Sequence, residues 1–357
     1  MTIRVLVVDD SAIVRKMISN ALESDSNLEV VCTAPNGEVA IQKARNFKPD
    51  VITLDVEMPG MSGLDTLQEL IKENQSNKIM MVSAFTEVGA KVTLDALALG
   101  ASDYITKPST SSGGLSNSEF SKLLIDKVKS LKPNQNISSE VPTLNPKAEN
   151  KQKNLSKRTV LLTVIGISTG GPKALASFLP QLESNFPTPI LIVQHMPPMF
   201  TKLLAERLNE QCKIKVLEAE DGMFALPGVA YIAPGGYHME VHNDNSKLIL
   251  KLNQNEPENS CRPAVDVLFR SASTAVGDQL LGIIMTGMGQ DGLRGSKLIK
   301  EKGGTIFCQD QESSVVWGMP GYVAQAGLAS VIAPLSELSK EVTLFINNCN
   351  KDAKQRF

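Results

Sequence analysis

The chain has 357 residues, enough for two domains at roughly 100–200 residues each. Its 36 Lys plus Arg against 38 Asp plus Glu leave a formal net charge of −2, which excludes a general attraction to nucleic acid or acidic membranes. No apolar run approaches the ~20 residues of a membrane span. The N-terminus enters a strand pattern, not a leader pattern, and the five cysteines (Cys32, Cys212, Cys261, Cys308, Cys349) lack C-x-x-C or Cys/His ligand spacing. A cytoplasmic protein with reduced, mostly buried thiols is expected.

Ile3 to Val8 reads as a strand ending in Asp9 and Asp10, and the next helix begins at Ser11, with Ile13, Val14, Met17, Ile18 and Leu22 at helical spacing. Further strands are predicted at Glu29–Thr33, Val51–Leu54, Lys78–Ser83 and around Asp103–Ile105, with helical patterns between them. Such a fivefold β-α alternation makes a parallel, doubly wound sheet whose polar residues gather on its carboxyl edge. Asp55 follows the third strand, Ser83 closes the fourth, and Lys107-Pro108 follows the fifth. Three carboxylates on one edge, Asp9, Asp10 and Asp55, repel one another unless a cation offsets them, and hard oxygen ligands suit Mg²⁺.

The segments VLVVDDS, LDVEMPGMSG around Asp55, MMVSA and DYITKP resemble a response-regulator receiver domain over about the first 125 residues. The resemblance implies a flavodoxin-like fold in which Asp55 accepts a phosphoryl group from a histidine kinase. It further implies that Asp9 and Asp10 help hold Mg²⁺ and that Lys107 contacts the acyl phosphate. Ser83 and Tyr104 match the positions that relay phosphorylation to the opposite surface.

After the helix-like EFSKLLIDKVKSLK, the stretch NQNISSEVPTLNPKAENKQKNLSKR has few apolar residues and no sustained period. Residues 132–158 are therefore expected to be a flexible linker between domains at 1–131 and 159–348.

Leu161 to Ile167 is a buried-strand pattern running into Ser168. Gly166, Ser168 and Gly170 spell G-x-S-x-G, a strand-to-helix turn that projects a serine hydroxyl from a sheet edge, and Pro172 suits the first helical turn. A turn whose serine merely caps a helix has the same spelling. Pro189 to Val193 is a second buried strand ending in Gln194-His195, so His195 reaches the same edge as a candidate general base, with His238 in reserve. A third strand, Leu280–Thr286, runs into GMGQDG, where Asp291 could orient the imidazole. Gly287, Gly289 and Gly292 also spell G-x-G-x-x-G, with Asp310 about 20 residues on, which is the dinucleotide-binding alternative. Against it, Asp291 would stand inside the loop meant to cradle a pyrophosphate.

Taken together, VIGISTGGP, IVQHMPPMFT, YIAPGGYHM, CRPAVDVLFRSA, TGMGQDG and QDQESSVVWGMPG resemble the catalytic domain of the chemotaxis protein-glutamate methylesterases, a family that also carries a receiver in front. The resemblance implies a Rossmann-like α/β hydrolytic domain with Ser168 as nucleophile, His195 as base, Asp291 as its orienting carboxylate and the Met288 backbone N–H at the oxyanion. It implies methylated chemoreceptors as substrates, a chemotaxis histidine kinase as phosphodonor, glutamine deamidation as a second activity, and no metal in the esterase step. Neither a nucleic-acid partner nor membrane insertion is expected. A receiver with a non-catalytic output is the remaining alternative.

Overall fold

The computed structural model describes residues 2–73, 78–109, 114–132 and 159–354; apart from Lys132, the expected linker lies outside the described residues. The chain divides into two units, Met1–Ser138 and Ser139–Phe357. No helix among the described residues is long and apolar enough to cross a membrane.

The first unit alternates β1 (Ile3–Val8), α1 (Ala12–Glu23), β2 (Leu28–Ala34), α2 (Gly37–Phe47), β3 (Val51–Asp55), α3 (Gly63–Glu73), β4 (Lys78–Ser83), α4 (Glu87–Leu99), β5 (Asp103–Thr106) and α5 (Asn117–Leu131). The five strands are parallel, in the order β2-β1-β3-β4-β5. Val5 to Val8, Ile52, Leu54 and Met80 to Val82 are almost fully buried, as strands covered on both faces must be. Ser11, Asn36, Thr86 and Ser116 each accept a hydrogen bond from the backbone N–H three residues on, which caps the helix that follows. The winding reverses between β1 and β3, and open α/β sheets bind ligands outside the carboxyl ends of strands at such a point. Asp9, Asp10 and Asp55 are therefore placed by topology.

The second unit has a seven-stranded sheet, all parallel, in the order β14-β13-β12-β6-β7-β9-β8. Its strands are β6 (Leu162–Ile167), β7 (Ile190–Gln194), β8 (Lys215–Glu218), β9 (Val229–Ile232), β12 (Leu280–Ile284), β13 (Thr305–Gln309) and β14 (Val331–Ala333). Helices α6 (Gly171–Phe178), α7 (Phe200–Gln211) and α11 (Leu335–Lys354) pack together, as do α8 (Val265–Val276), α9 (Leu293–Glu301) and α10 (Met319–Gln325). The C-terminal helix thus runs beyond the expected domain end at 348. An antiparallel hairpin, β10 (His238–Asp244) with β11 (Lys247–Asn253), packs on α8 and sends Met239, Val241 and Leu250 into the core. Here the winding reverses between β6 and β12, so Ser168 and the loop after Thr286 are adjacent at the second switch point.

The turn after β6 depends on Gly170, whose φ is 77° and whose added Cβ would sit 2.6 Å from Val315. Both the left-handed backbone and the close neighbour exclude a branched side chain. We expect Gly170→Val to destabilise the second unit by about 2 kcal/mol or more, read as a lower urea midpoint for its unfolding; an unchanged midpoint would remove this constraint.

Candidate functional site

At the switch point of the second unit, Ile167 of β6 pairs with Gln194 of β7, so the next residues, Ser168 and His195, leave the sheet side by side. Ser168 N–H donates to Thr286 O at 3.0 Å, and His195 N–H to Ile167 O at 3.3 Å. The Gln194 side chain donates to Ser168 O at 3.0 Å and holds the elbow from beneath. Thr286 Oγ1 donates to Thr169 O at 2.9 Å and accepts from Val316 N–H, while Gln309 Oε1 accepts from Thr286 N–H. These buried bonds fix the GMG loop against the serine turn. Gly287 is so close that a Cβ there would meet Ser168 Cβ at 2.9 Å. The Met288 N–H makes no hydrogen bond among the described residues.

His195 and Asp291 meet directly, Nε2 to Oδ2 at 2.8 Å. Asp291 is 3% exposed, and its carboxylate collects four more N–H donors. Oδ2 accepts from Val265 N–H at 2.7 Å; Oδ1 accepts from Asp266 N–H and Gly292 N–H, both at 3.0 Å, and from Asn259 Nδ2 at 2.8 Å. Burial alone would raise its pKa, but His195 and these donors prevail and hold it below the ordinary carboxylate value. Burial likewise opposes charge on the His195 ring, yet Cys261 against the ring and the Asp291 carboxylate outweigh it and raise the imidazole above its ordinary 6.5. The arrangement favours an imidazolium, the form a base takes after receiving a serine proton.

His238, the reserve candidate, is buried in β10 with Nε2 against Glu256 O at 3.1 Å. The G-x-G-x-x-G alternative also loses its ground, because Gly292 N–H at the start of α9 already donates to Asp291 and leaves a carboxylate where a pyrophosphate would sit. Asp310 caps its own turn by accepting from Ser313 N–H at 3.0 Å. Among the described residues no disulfide joins the cysteines; Cys308 and Cys349 are buried and the other three only partly, fewer than expected.

In the first unit Lys107 Nζ lies 2.8 Å from Asp9 Oδ2 and 2.9 Å from Asp55 Oδ2. Asp9, Asp10 and Asp55 offer carboxylate oxygens within 4.8 Å of one another, two of the residues buried and Asp10 exposed. Asp9 Oδ1 is occupied by Ser11 N–H at 2.9 Å, and its buried Oδ2 faces Lys107. All-oxygen donors open to solvent on one side fit a hard divalent cation such as Mg²⁺. Burial, with Asp9 adding to it against the pull of Lys107, raises the Asp55 carboxyl from 3.8 to about 6. Ser83 is buried at the end of β4, opposite Thr106 of β5, and its Oγ donates to Ala84 O at 3.2 Å. Tyr104, two residues earlier on β5, is buried with Lys127 Nζ 5.6 Å from its ring centroid.

Fold and site together define a receiver domain joined to an α/β domain with a serine-histidine-aspartate arrangement. The model for the CheB methylesterase family matches residues 163–342, and that for the response regulator receiver domain matches residues 5–115. A protein-glutamate methylesterase/protein-glutamine glutaminase of Trichodesmium erythraeum is 46% identical over 344 residues, covering 95% of this chain and 97% of the relative. One of the same description from a Nocardioides species is 47% identical, covering 95% and 94%. The crystal structure of the Thermotoga maritima CheB methylesterase catalytic domain superposes with a TM-score of 0.51 at 41% identity, covering 52% of this chain and 98% of that one. The chain belongs to the CheB methylesterase family, with a response-regulator receiver domain at its N-terminal end.

The raised Asp55 carboxyl has a stability consequence with a definite sign. Its contribution to folding is fully present below the unfolded pKa of 3.8 and is lost as pH rises through about 6. Asp55→Asn should therefore stabilise the receiver at pH 7 by on the order of 1–3 kcal/mol, a gain that shrinks toward zero at pH 4. Urea denaturation at the two pH values checks it; an equal effect at both would contradict the assignment.

Proposed function

We propose that Ser168, His195 and Asp291 carry out the hydrolysis, and that Asp55 is the residue through which the receiver controls it. The activity is that of a chemotaxis protein-glutamate methylesterase and protein-glutamine glutaminase regulated by its receiver domain. The observation that carries the residue assignment is the His195–Asp291 bond at the switch point beside Ser168. With Nε2 committed to Asp291, Nδ1 is the nitrogen left to take the Ser168 proton.

As the proton moves to His195, Ser168 Oγ bonds to the side-chain γ-carbonyl carbon of a methylated receptor glutamate. The carbonyl oxygen becomes an oxyanion, for which the Met288 N–H is a donor. Such a donor contributes about 2.7–4 kcal/mol in other hydrolases. Collapse breaks the ester C–O bond, and methanol leaves with the proton from His195. Water then gives its proton to His195 and attacks the acyl-serine, releasing glutamate and restoring the hydroxyl. A glutamine side chain follows the same course with ammonia as leaving group. The raised basicity of His195 helps the first proton transfer.

In the receiver, an Asp55 oxygen bonds to the phosphorus of a phosphorylated kinase histidine as the P–N bond breaks and the imidazole leaves, while Lys107 neutralises charge on the transferred group. A Mg²⁺ ion held by Asp9, Asp10 and Asp55 supplies the remaining charge neutralisation when bound. Ser83 ends β4, the strand next to that of Asp55, where a new phosphoryl group would act first, and Tyr104 lies on β5, one strand further on.

Methanol release from methylated receptor membranes tests the reading. Ser168→Ala should lose at least ~10³-fold in kcat while remaining folded, and Asp55→Asn should lose both labelling by a small phosphodonor and activation by it. Near-normal turnover in Ser168→Ala would end the nucleophile assignment; undiminished labelling of Asp55→Asn would move the acceptor elsewhere.

A further inference from the structure

Between β11 and α8 the chain makes a turn closed by two backbone bonds, Glu258 N–H to Cys261 O at 3.1 Å and Cys261 N–H to Glu258 O at 3.0 Å. Its central residues, Asn259 and Ser260, have φ values of 53° and 61°. Asn enters this left-handed region more readily than most other residues with a Cβ. Although Asn259 is exposed, the turn directs its amide inward between two buried carboxylates. Nδ2 donates one hydrogen to Asp291 Oδ1 at 2.8 Å and the other to Asp266 Oδ2 at 3.0 Å.

Asp266 and Asp291 are 1% and 3% exposed. Two carboxylates so buried repel each other and need donors to stay ionised and apart. Asp266 Oδ1 accepts from Gly295 N–H at 2.7 Å, while the Asp266 backbone N–H donates to Asp291 Oδ1 at 3.0 Å. No Lys or Arg pairs with either carboxylate among the described residues. Glu258, the nearest further carboxylate, is occupied by Arg270 at 2.8 Å, and Arg294 acts on Glu258 from α9. His195 bonds Asp291 directly, Cys261 acts on the His195 ring, and the charge of Arg270 also acts on Asp266. Of the five donors to Asp291, three are backbone N–H groups fixed by the starts of α8 and α9, and one is His195 itself. Asn259 is the remaining one, and among the described residues it is the only side chain that ties Asp291 to Asp266.

We propose that Asn259 is a positioning residue of the esterase: its amide bridges Asp291 to Asp266 and fixes the rotation of the Asp291 carboxylate so that Oδ2 stays on His195 Nε2. The role rests on the serine-histidine-aspartate reading above. The Asn259 amide bonds Asp291 and Asp266, and its effect travels through Asp291.

Two substitutions in the full chain separate this role from a merely structural one. Asn259→Gly keeps the left-handed backbone accessible and removes the amide, whereas Asn259→Asp keeps the shape and puts a third carboxylate in its place. Asn259→Gly should lower kcat for methanol release about tenfold or more with KM within about twofold. Asn259→Asp should raise the midpoint of the His195 ring titration, followed by NMR, by about one pH unit or more. The acidic limb of kcat/KM should move upward with it. With three histidines in the chain, His195→Gln assigns the resonance. Wild-type kcat in folded Asn259→Gly, or an unmoved His195 midpoint in Asn259→Asp, overturns the proposal, and the second measurement decides alone if the glycine variant does not fold. Ser168→Ala, assayed alongside, separates the two readings: if it keeps turnover the triad reading fails, and if it is inactive the Asn259 results judge Asn259 alone.

Discussion

The catalytic half of this molecule depends on one carboxylate held by five N–H groups. Asp291 is buried, so its charge would be costly without partners; with Val265, Asp266 and Gly292 backbone donors, Asn259 and His195 around it, ionisation is instead favoured. The five donors come from four separate places in the chain. The start of α8 supplies two, the start of α9 one, the Glu258–Cys261 turn one, and the end of β7 the imidazole. A charge fixed from so many directions is held against rotation away from His195, and the imidazole bonded to it is held in one orientation.

The same topological device positions both chemistries. In each sheet the winding reverses between two neighbouring strands, β1 and β3 in one and β6 and β12 in the other, and the polar residues that follow those strands meet there. The receiver uses the position to bury Asp55 beside Asp9 and Lys107, and burial together with Asp9 outweighs the pull of Lys107, so that the Asp55 carboxyl resists ionisation. The catalytic unit uses it to set Ser168 beside His195 and the GMG loop. One crevice gathers three carboxylates beside a lysine, and the other gathers N–H donors around the aspartate that holds His195.

Much of this was legible because strand ends are legible. Runs such as VLVV, VITL and LIVQ mark buried strands, and the polar residue that stops each run marks an edge position; Asp9, Asp55, Ser168 and His195 were all found in that way. The stretch from β8 to β11 was not resolved into elements from sequence, because β8 and β9 are only four residues long and the hairpin alternates lysines with leucines in a weak pattern. Asn259 and Asp266 escaped notice for a different reason. Their importance lies in contacts 32 and 25 residues away along the chain, to Asp291, and an Asn in a polar turn or an Asp at a helix start looks like ordinary capping. Gln194 and Thr286 were passed over similarly, since an uncharged strand-end residue that pins another loop carries no compositional mark. His195 was preferred over His238 because it follows a strand pattern at the edge that Ser168 also reaches, whereas no strand was assigned around His238.

The central claim is that Ser168, His195 and Asp291 act as a unit. A mutant cycle tests it most directly: kcat for methanol release in Ser168→Ala, in Asp291→Ala and in the double variant, each verified as folded. The account predicts that Asp291→Ala alone costs less than Ser168→Ala and that the double variant is no slower than Ser168→Ala, because without the serine there is no proton for the oriented imidazole to take. Losses that multiply in the double variant would contradict it, since they would mean that Asp291 contributes to turnover by a route that does not pass through Ser168.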